Sequence, residues 1–288
     1  MLLAALSFSV MSGFAKVLRH SFNAPQLVFY RNLIGLVVLP LSVWKYPLQQ
    51  TGGRPGLLIF RGFMGTMALY TLMYCIIHMP LGAAMTYNTL NTFYIAGLSY
   101  FIWKEKLHSI SWICILLGFA GVLLIYKPNA DFSWGYHAVG LLHGLFSAFA
   151  YLSIGKLNKY YDSRVIVLSF LSSGLILPIV MMLIAFVFQL PHDDFFFPDF
   201  ILPSGNSWWQ LLGMGITALL GQYYVTKAYS NDKAGIIAAI GYSNILFAVI
   251  IGVILGDAIP DVWMLGGILM VVMSGVVISL TKGSEGPS

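Results

Sequence analysis

FRGFMGTMALYTLMYCIIHMPLGAAMTYNTLNTFYIAGLSYFIWKEKL, residues 60–107, carries no Asp, Glu, Lys or Arg between Arg61 and Lys104. Pro80 divides it into two apolar runs, 57–78 and 81–103. Each is as long as the roughly 20 residues a helix needs to cross a bilayer. Runs of the same kind fill the rest of the chain, at about 1–18, 25–44, 108–126, 138–157, 165–189, 207–229, 234–255 and 262–280. They are apolar all round, whereas a helix on a soluble core is apolar on one stripe. The gaps hold the breakers: Pro47 with Gly52 and Gly53, Pro80, Pro128, Pro191, Pro203 with Gly205, and Pro260. Lipid cannot satisfy an open backbone, so the runs are expected to be helices. The fold class is all-α integral membrane with ten transmembrane helices.

Composition agrees. Hydrophobic residues make up 59% of the 288 and charged residues 9%, against about 25% charged in soluble domains. The net charge of +5 is spread over short loops, which argues against nucleic acid as a partner. Cys75 and Cys114 both lie in apolar runs and read as buried thiols. The first twenty residues lack a basic n-region, and Lys16 and Arg19 follow the apolar run, so they read as a first span and not as a signal peptide.

With the N-terminus inside, the cytosolic loops and helix ends carry Lys45, Arg54, Lys104, Lys106, Lys156, Lys159, Arg164, Lys227, Lys233 and Lys282. The outer side carries Arg19 and Lys127, with Lys16 at the margin. This positive-inside bias places both termini in the cytosol. The longest loop, 190–206, then lies outside, and its His192-Asp193-Asp194 could ligate a metal or simply be a solvated acidic turn.

The second half echoes the first. LNTFYIAGLSYFIWKEKL (90–107) aligns with YSNILFAVIIGVILGDAI (242–259) at an offset of 152, and LSFSVMSGFAKVLRH (6–20) with FSAFAYLSIGKLNKY (146–160) at an offset of 140. IGLVVLPL (34–41) resembles SGLILPI (173–179), pairing Gly35 with Gly174 and Pro40 with Pro178 across a one-residue gap. Five helices per half is odd, so the halves insert upside down, as in many secondary transporters. The expected domains are a first repeat, 1–127, an extracytosolic linker, 128–137, and a second repeat with a short tail, 138–288. Pro40 and Pro178 are expected to kink helices two and seven.

FYRNLIGLVVLPL (29–41) and the 60–107 stretch resemble the EamA-like branch of the drug/metabolite transporter superfamily. The resemblance implies a ten-helix permease and no particular substrate. In that family the fourth helix ends in a Pro-containing segment followed by Gly-Glu. Here Asn91-Thr92-Phe93 stands at the Pro position and Lys104-Glu105 at the Gly-Glu position, while the second half offers Gly256-Asp257.

Polar groups at membrane depth are costly and mark candidate pathway residues. On helix four, Tyr87, Asn91 and Tyr94 share a face, with Asn88 at its edge and Thr89 off it. They are either pocket wall or interhelical glue. Tyr70 and Tyr74 on helix three correspond in the repeat to Gln222 and Thr226, and Asn91 corresponds to Ser243. Helix six adds Ser147 and Tyr151, with His143 a turn earlier as either a packing residue or a functional one. Tyr242 and Asn244 cannot both face one cavity. Arg31, about two turns into helix two, either binds an anionic substrate group or bonds backbone carbonyls. Arg61, Lys16 and Lys156 lie near helix ends and are expected to snorkel. The candidate substrate site is therefore Arg31, Tyr70, Tyr74, Tyr87, Asn88, Asn91, Tyr94, Ser147, Tyr151, Gln222, Thr226 and Ser243.

No acidic residue lies mid-span, which favours facilitated diffusion or exchange over a carboxylate-based proton pump. At membrane depth the sequence offers no HExxH, no GxSxG, no paired acids and no metal set, so neither an enzyme nor a cofactor or metal is expected. The expected function is secondary transport of a small polar metabolite, amino acid-like, zwitterionic or anionic, across a bacterial plasma membrane. The alternative is a flippase-type carrier of a lipid-linked headgroup, with a cavity open sideways to lipid. The expected partners are a small-molecule substrate and the bilayer, with monomer and homodimer both open.

Overall fold

A computed structural model describes residues 1–45, 52–79, 81–103, 109–126, 134–189, 195, 200–231, 237, 240–257 and 259–283. The Lys104-Glu105 pair, Lys106, Lys127, Lys233, and the His192-Asp193-Asp194 turn lie outside the described residues. Among the described residues the chain is all-helical. Its ten helices are α1 (Leu2–Leu18), α2 (Ala24–Lys45), α3 (Pro55–His78), α4 (Leu81–Trp103), α5 (Ser109–Tyr126), α6 (Trp134–Leu157), α7 (Ser163–Phe188), α8 (Ser207–Asn231), α9 (Ser243–Ile254) and α10 (Val262–Gly283). By length and composition alone α3, α6 and α7 could cross a membrane.

The ninth helix departs from the expected 234–255. Ile240 and Gly241 are helical, but the ladder breaks at Tyr242 and α9 begins at Ser243. The Ser243 hydroxyl donates to the Ile240 carbonyl at 2.8 Å, satisfying an acceptor that the break frees. At its far end α9 stops in a Schellman turn. Gly256 takes φ +93°, its N–H donates to the Val253 carbonyl at 3.1 Å, and the Asp257 N–H donates to the Gly252 carbonyl at 2.8 Å. The sequence pair Gly256-Asp257 is thus a helix stop that aims a carboxylate back along the bundle.

The major packing partners are as follows: α1 lies on α8 and α9, and α6 lies on α3 and α4. The helix α2 packs on α7 and α8, and α7 packs also on α3. Two further pairs, α4 with α9 and α5 with α10, close the bundle. Glycines set the closest approaches. A Cβ at Gly62 would stand 2.7 Å from the Ser169 carbonyl oxygen, so α3 and α7 meet backbone to backbone there.

Burial is reversed relative to a soluble protein. Gln26, Arg31, Asn32, Arg61, His143, Gln222 and Asn244 are each 5% exposed or less, while Phe186, Ile254, Ile176 and Ile59 face outward. Exposed Trp44, Trp134, Trp208, Trp209 and Trp263 sit in first or last turns, where amphipathic rings meet a membrane interface.

Candidate functional site

The inward polar side chains converge on a central cavity walled by α1, α2, α3, α4, α6, α7, α8 and α9. From α2, Arg31 is held in place: its Nε donates to Met11 Sδ at 3.2 Å and its Nη1 to Asn32 Oδ1 at 3.1 Å. Asn32 is fixed in turn by donating to the Val28 carbonyl at 2.8 Å. From α3, Arg61 turns into the same space, with Nε and Nη1 lacking any acceptor. Both guanidiniums lie against Phe170 of α7, their central carbons 5.3 and 5.2 Å from the ring centroid, within cation–π range. A Cβ at Gly65 would press on Phe170 at 2.7 Å and on the Arg61 guanidinium, so the missing side chain is what gives Arg61 its slot.

Opposite the arginines, His143 of α6 is fixed at both ring nitrogens. Nδ1 meets the Ala68 carbonyl at 2.7 Å and Nε2 meets the Asn88 side chain at 2.9 Å. A carbonyl only accepts, so Nδ1 carries the proton. The ring thereby ties α6 to α3 and α4. Ser12, Ser147, Tyr151, Gln222 and Asn244 complete the polar wall, and Phe8, Leu69, Leu72 and Met85 the apolar one. Gln222 Nε2 also lacks a partner. The cavity offers about 60 Å³ to the centres of water molecules. At roughly 10–15 Å³ per water that is room for a few waters.

A smaller chamber of about 30 Å³ continues toward the end of the bundle that holds Met1, Tyr229 and Gly241, and Asn91, Thr89 and Thr92 line it. Phe8, Asn88, Tyr151 and Asn244 belong to both walls and separate the two spaces. Tyr151 also stacks on Tyr229, with rings 4.9 Å apart and 7° from parallel. At the opposite end Tyr74 packs with His78, Tyr136 and Phe195. There Lys16 and Asp257 form an ion pair between α1 and the turn after α9.

Of the residues expected at the site, Arg31, Asn88, Ser147, Tyr151 and Gln222 line the central cavity and Asn91 lines the smaller chamber. Six others lie elsewhere. Tyr70 packs edge-on to Phe195 and Tyr74 joins the aromatic group. Tyr87 bonds His137 Nδ1 at 2.6 Å, and Tyr94 packs against Gly144. Thr226 is fully buried one turn past Gln222, and Ser243 serves the break before α9. Thr89, placed off the pathway face by helical periodicity, shares the smaller chamber with Asn91. Of Tyr242 and Asn244, it is Asn244 that faces the cavity.

Two expectations need correction. Arg61 does not snorkel: it is 1% exposed and points inward. Lys16 does not snorkel either, because its ammonium is taken by Asp257. Sequence reasoning also missed Phe170. The signal was present, since the register that pairs Gly35 with Gly174 sets Arg31 opposite Phe170. For Arg61 the signal was Gly65, one turn further along the same helix.

A family model for the EamA-like transporter family matches residues 1–127. An uncharacterized transporter of Helicobacter pylori is 32% identical, over 97% of this chain and 93% of its own length. The pseudopaline exporter CntI of Pseudomonas aeruginosa is 28% identical, over 97% and 94%. The riboflavin transporter of Vibrio cholerae is 26% identical, over 99% and 94%. A solved crystal structure superimposes with TM-score 0.73 over 98% of this chain and 99% of that one, at 14% identity, which shows a shared fold. A bundle with a polar centre and an apolar surface, matched along nearly its whole length by transporters, is a membrane transporter and not an enzyme, and the chain belongs to the EamA-like transporter family.

Proposed function

We propose that the chain is a secondary transporter that carries a small polar metabolite, amino acid-like, zwitterionic or anionic, across the plasma membrane by alternating access, as a facilitator or an exchanger. One observation carries this reading. Buried polar groups from both halves of the chain, Arg31 and Arg61 from one and His143, Gln222 and Asn244 from the other, meet with the half-buried Asn88 in one cavity at the centre of an apolar bundle.

The inverted-repeat reading, with halves 1–127 and 138–288 joined by 128–137, draws support from the packing. Exchanging each helix with the one five places along turns α1 on α8 into α6 on α3, and α1 on α9 into α6 on α4. The same exchange turns α2 on α8 into α7 on α3, and maps α2 with α7, α4 with α9 and α5 with α10 onto themselves. Two matched halves can rock about a shared site. The ion pair and aromatic group close one end, which the charge bias makes the outer one, and Phe8, Tyr151 and Asn88 narrow the other. Eight helices contribute side chains to the cavity wall, and this central position favours a soluble solute over a lipid-linked headgroup.

Cys75 and Cys114 are both buried, so their replacement by serine gives a clean background for labelling. A cysteine at Ser147 should react with a small impermeant thiol reagent from the inner face in one set of vesicles and from the outer face in another. Saturating substrate should change the ratio. Reaction from one face only, unchanged by every solute transported, would refute alternating access.

A further inference from the structure

The described cavity contains two buried cations and no anion. Among the described residues the acidic side chains are Asp162, Asp257 and Asp261, all outside the helices and none at the cavity wall, so none of them neutralises Arg31 and Arg61 from within the bundle. A guanidinium does not give up its proton, and an uncompensated buried charge is costly. The compensation must therefore arrive with the ligand. The hydrogen-bonding groups point the same way. Asn32 Oδ1 is spent on Arg31 and Asn244 Oδ1 on Ser9, whereas the unpartnered atoms facing the cavity, Arg61 Nε, Arg61 Nη1 and Gln222 Nε2, are all donors. A site with two positive charges and surplus donors calls for a ligand rich in acceptors and twice negative.

We propose that the transported solute carries two oxyanion groups, one for each arginine across the Phe170 ring. Arg31, already fixed by Met11 and Asn32, supplies a standing positive charge. Arg61, with its open fork, makes the directional contact, and Gln222 completes it. A singly charged acid would leave one guanidinium unneutralised. Carboxylate and phosphate both fit such a fork, and the solute class is defined by their number and not by which of them it bears. The proposal rests on the transport reading above.

The test uses the purified full-length protein. Thermal stability is measured against the diacids malonate to adipate, phosphoglycolate, the half-amide succinamate and the zwitterion glycine, because a ligand of the folded state raises its melting temperature. The expected result is a concentration-dependent shift with at least one diacid or with phosphoglycolate, and which of the two shifts separates the carboxylate from the phosphate source. The half-amide should bind about tenfold or more weakly, as loss of one charge-assisted pair implies. In Arg61→Gln the diacid and its half-amide should bind alike. If that variant melts without ligand at ambient temperature, Arg61→Lys serves instead and should keep the diacid preference with weaker binding. Equal binding of diacid, half-amide and glycine by the unaltered protein, or no shift with any two-oxyanion compound, overturns the proposal. Counterflow of glycine that survives Arg61→Gln would overturn it while leaving transport intact. Absence of counterflow for every solute in proteoliposomes would instead sink the transport reading.

Discussion

Lys16 and Asp257 are separated by 241 positions, yet they join α1 to the turn after α9. Their surroundings differ, and the difference sets the size of each substitution. The Lys16 side chain is 8% exposed and that of Asp257 27%. Removing one partner of a fully buried pair costs about 3–5 kcal/mol, because the other charge stays behind unpaired. Asp257→Asn strands the better-buried ammonium and is expected near the low end of that range, about 3 kcal/mol. Lys16→Met strands a carboxylate that reaches water, so solvent screening reduces the cost to about 1 kcal/mol. The double variant should cost less than the sum of the two, with a coupling of about 1–2 kcal/mol. The assay is a thermal-melting double-mutant cycle on purified protein, where a change of 1 kcal/mol moves Tm by about 2–4 °C in a chain of this size. A coupling under about 0.5 kcal/mol, or a greater loss for Lys16→Met than for Asp257→Asn, would refute the reasoning.

Three further outcomes are expected. His143→Ala leaves the buried Ala68 carbonyl without its donor, at about 1–3 kcal/mol, and takes a partner from the half-buried Asn88 at a smaller cost, so Tm should fall by several degrees while His143→Gln recovers part of the loss; no change in melting would contradict the assigned bonds. Gly62→Leu drives a side chain into the Ser169 backbone and should cost about 1–3 kcal/mol or more, read as lost monodisperse yield, whereas Gly266→Leu, with open space at its Cβ, should be tolerated. Asp162 caps α7 through the Arg164 N–H at 2.8 Å, so Asp162→Ala should cost about 1 kcal/mol. The hydrogen bond from the Arg164 side chain, chiefly, holds the Asp162 carboxyl below the usual aspartate range. A depressed folded pKa means the stabilisation is present above the unfolded value, near pH 4, and is lost as pH falls through the folded one. The gap between wild type and Asp162→Ala should therefore close in acid, and a gap that stays undiminished as the carboxyl is protonated would exclude the carboxylate as its source.

The spans were legible in the sequence because membrane insertion is a one-dimensional problem. Twenty apolar residues must run unbroken and charges must wait in the gaps, so the expected 57–78 and 81–103 lie within a residue or two of α3 and α4. The direction each side chain takes was not. In a helix that is apolar all round, periodicity names no inward face, and the face drawn through Tyr87, Asn91 and Tyr94 spreads over a hydrogen bond to His137, the smaller chamber and a packing contact at Gly144. Arg61 shows the limit most clearly. Its place along the chain gave its depth and suggested an escape to water, while its rotation about the α3 axis, set by Gly65 and the nearby Phe170, sends it into the cavity. Sequence by itself determined which segments form apolar helices, where charge is excluded and which polar residues those helices carry. Only the packing of ten helices decided which of those residues meet, because the distances between Arg31, Arg61 and Gln222 belong to contacts that no spacing along one chain contains.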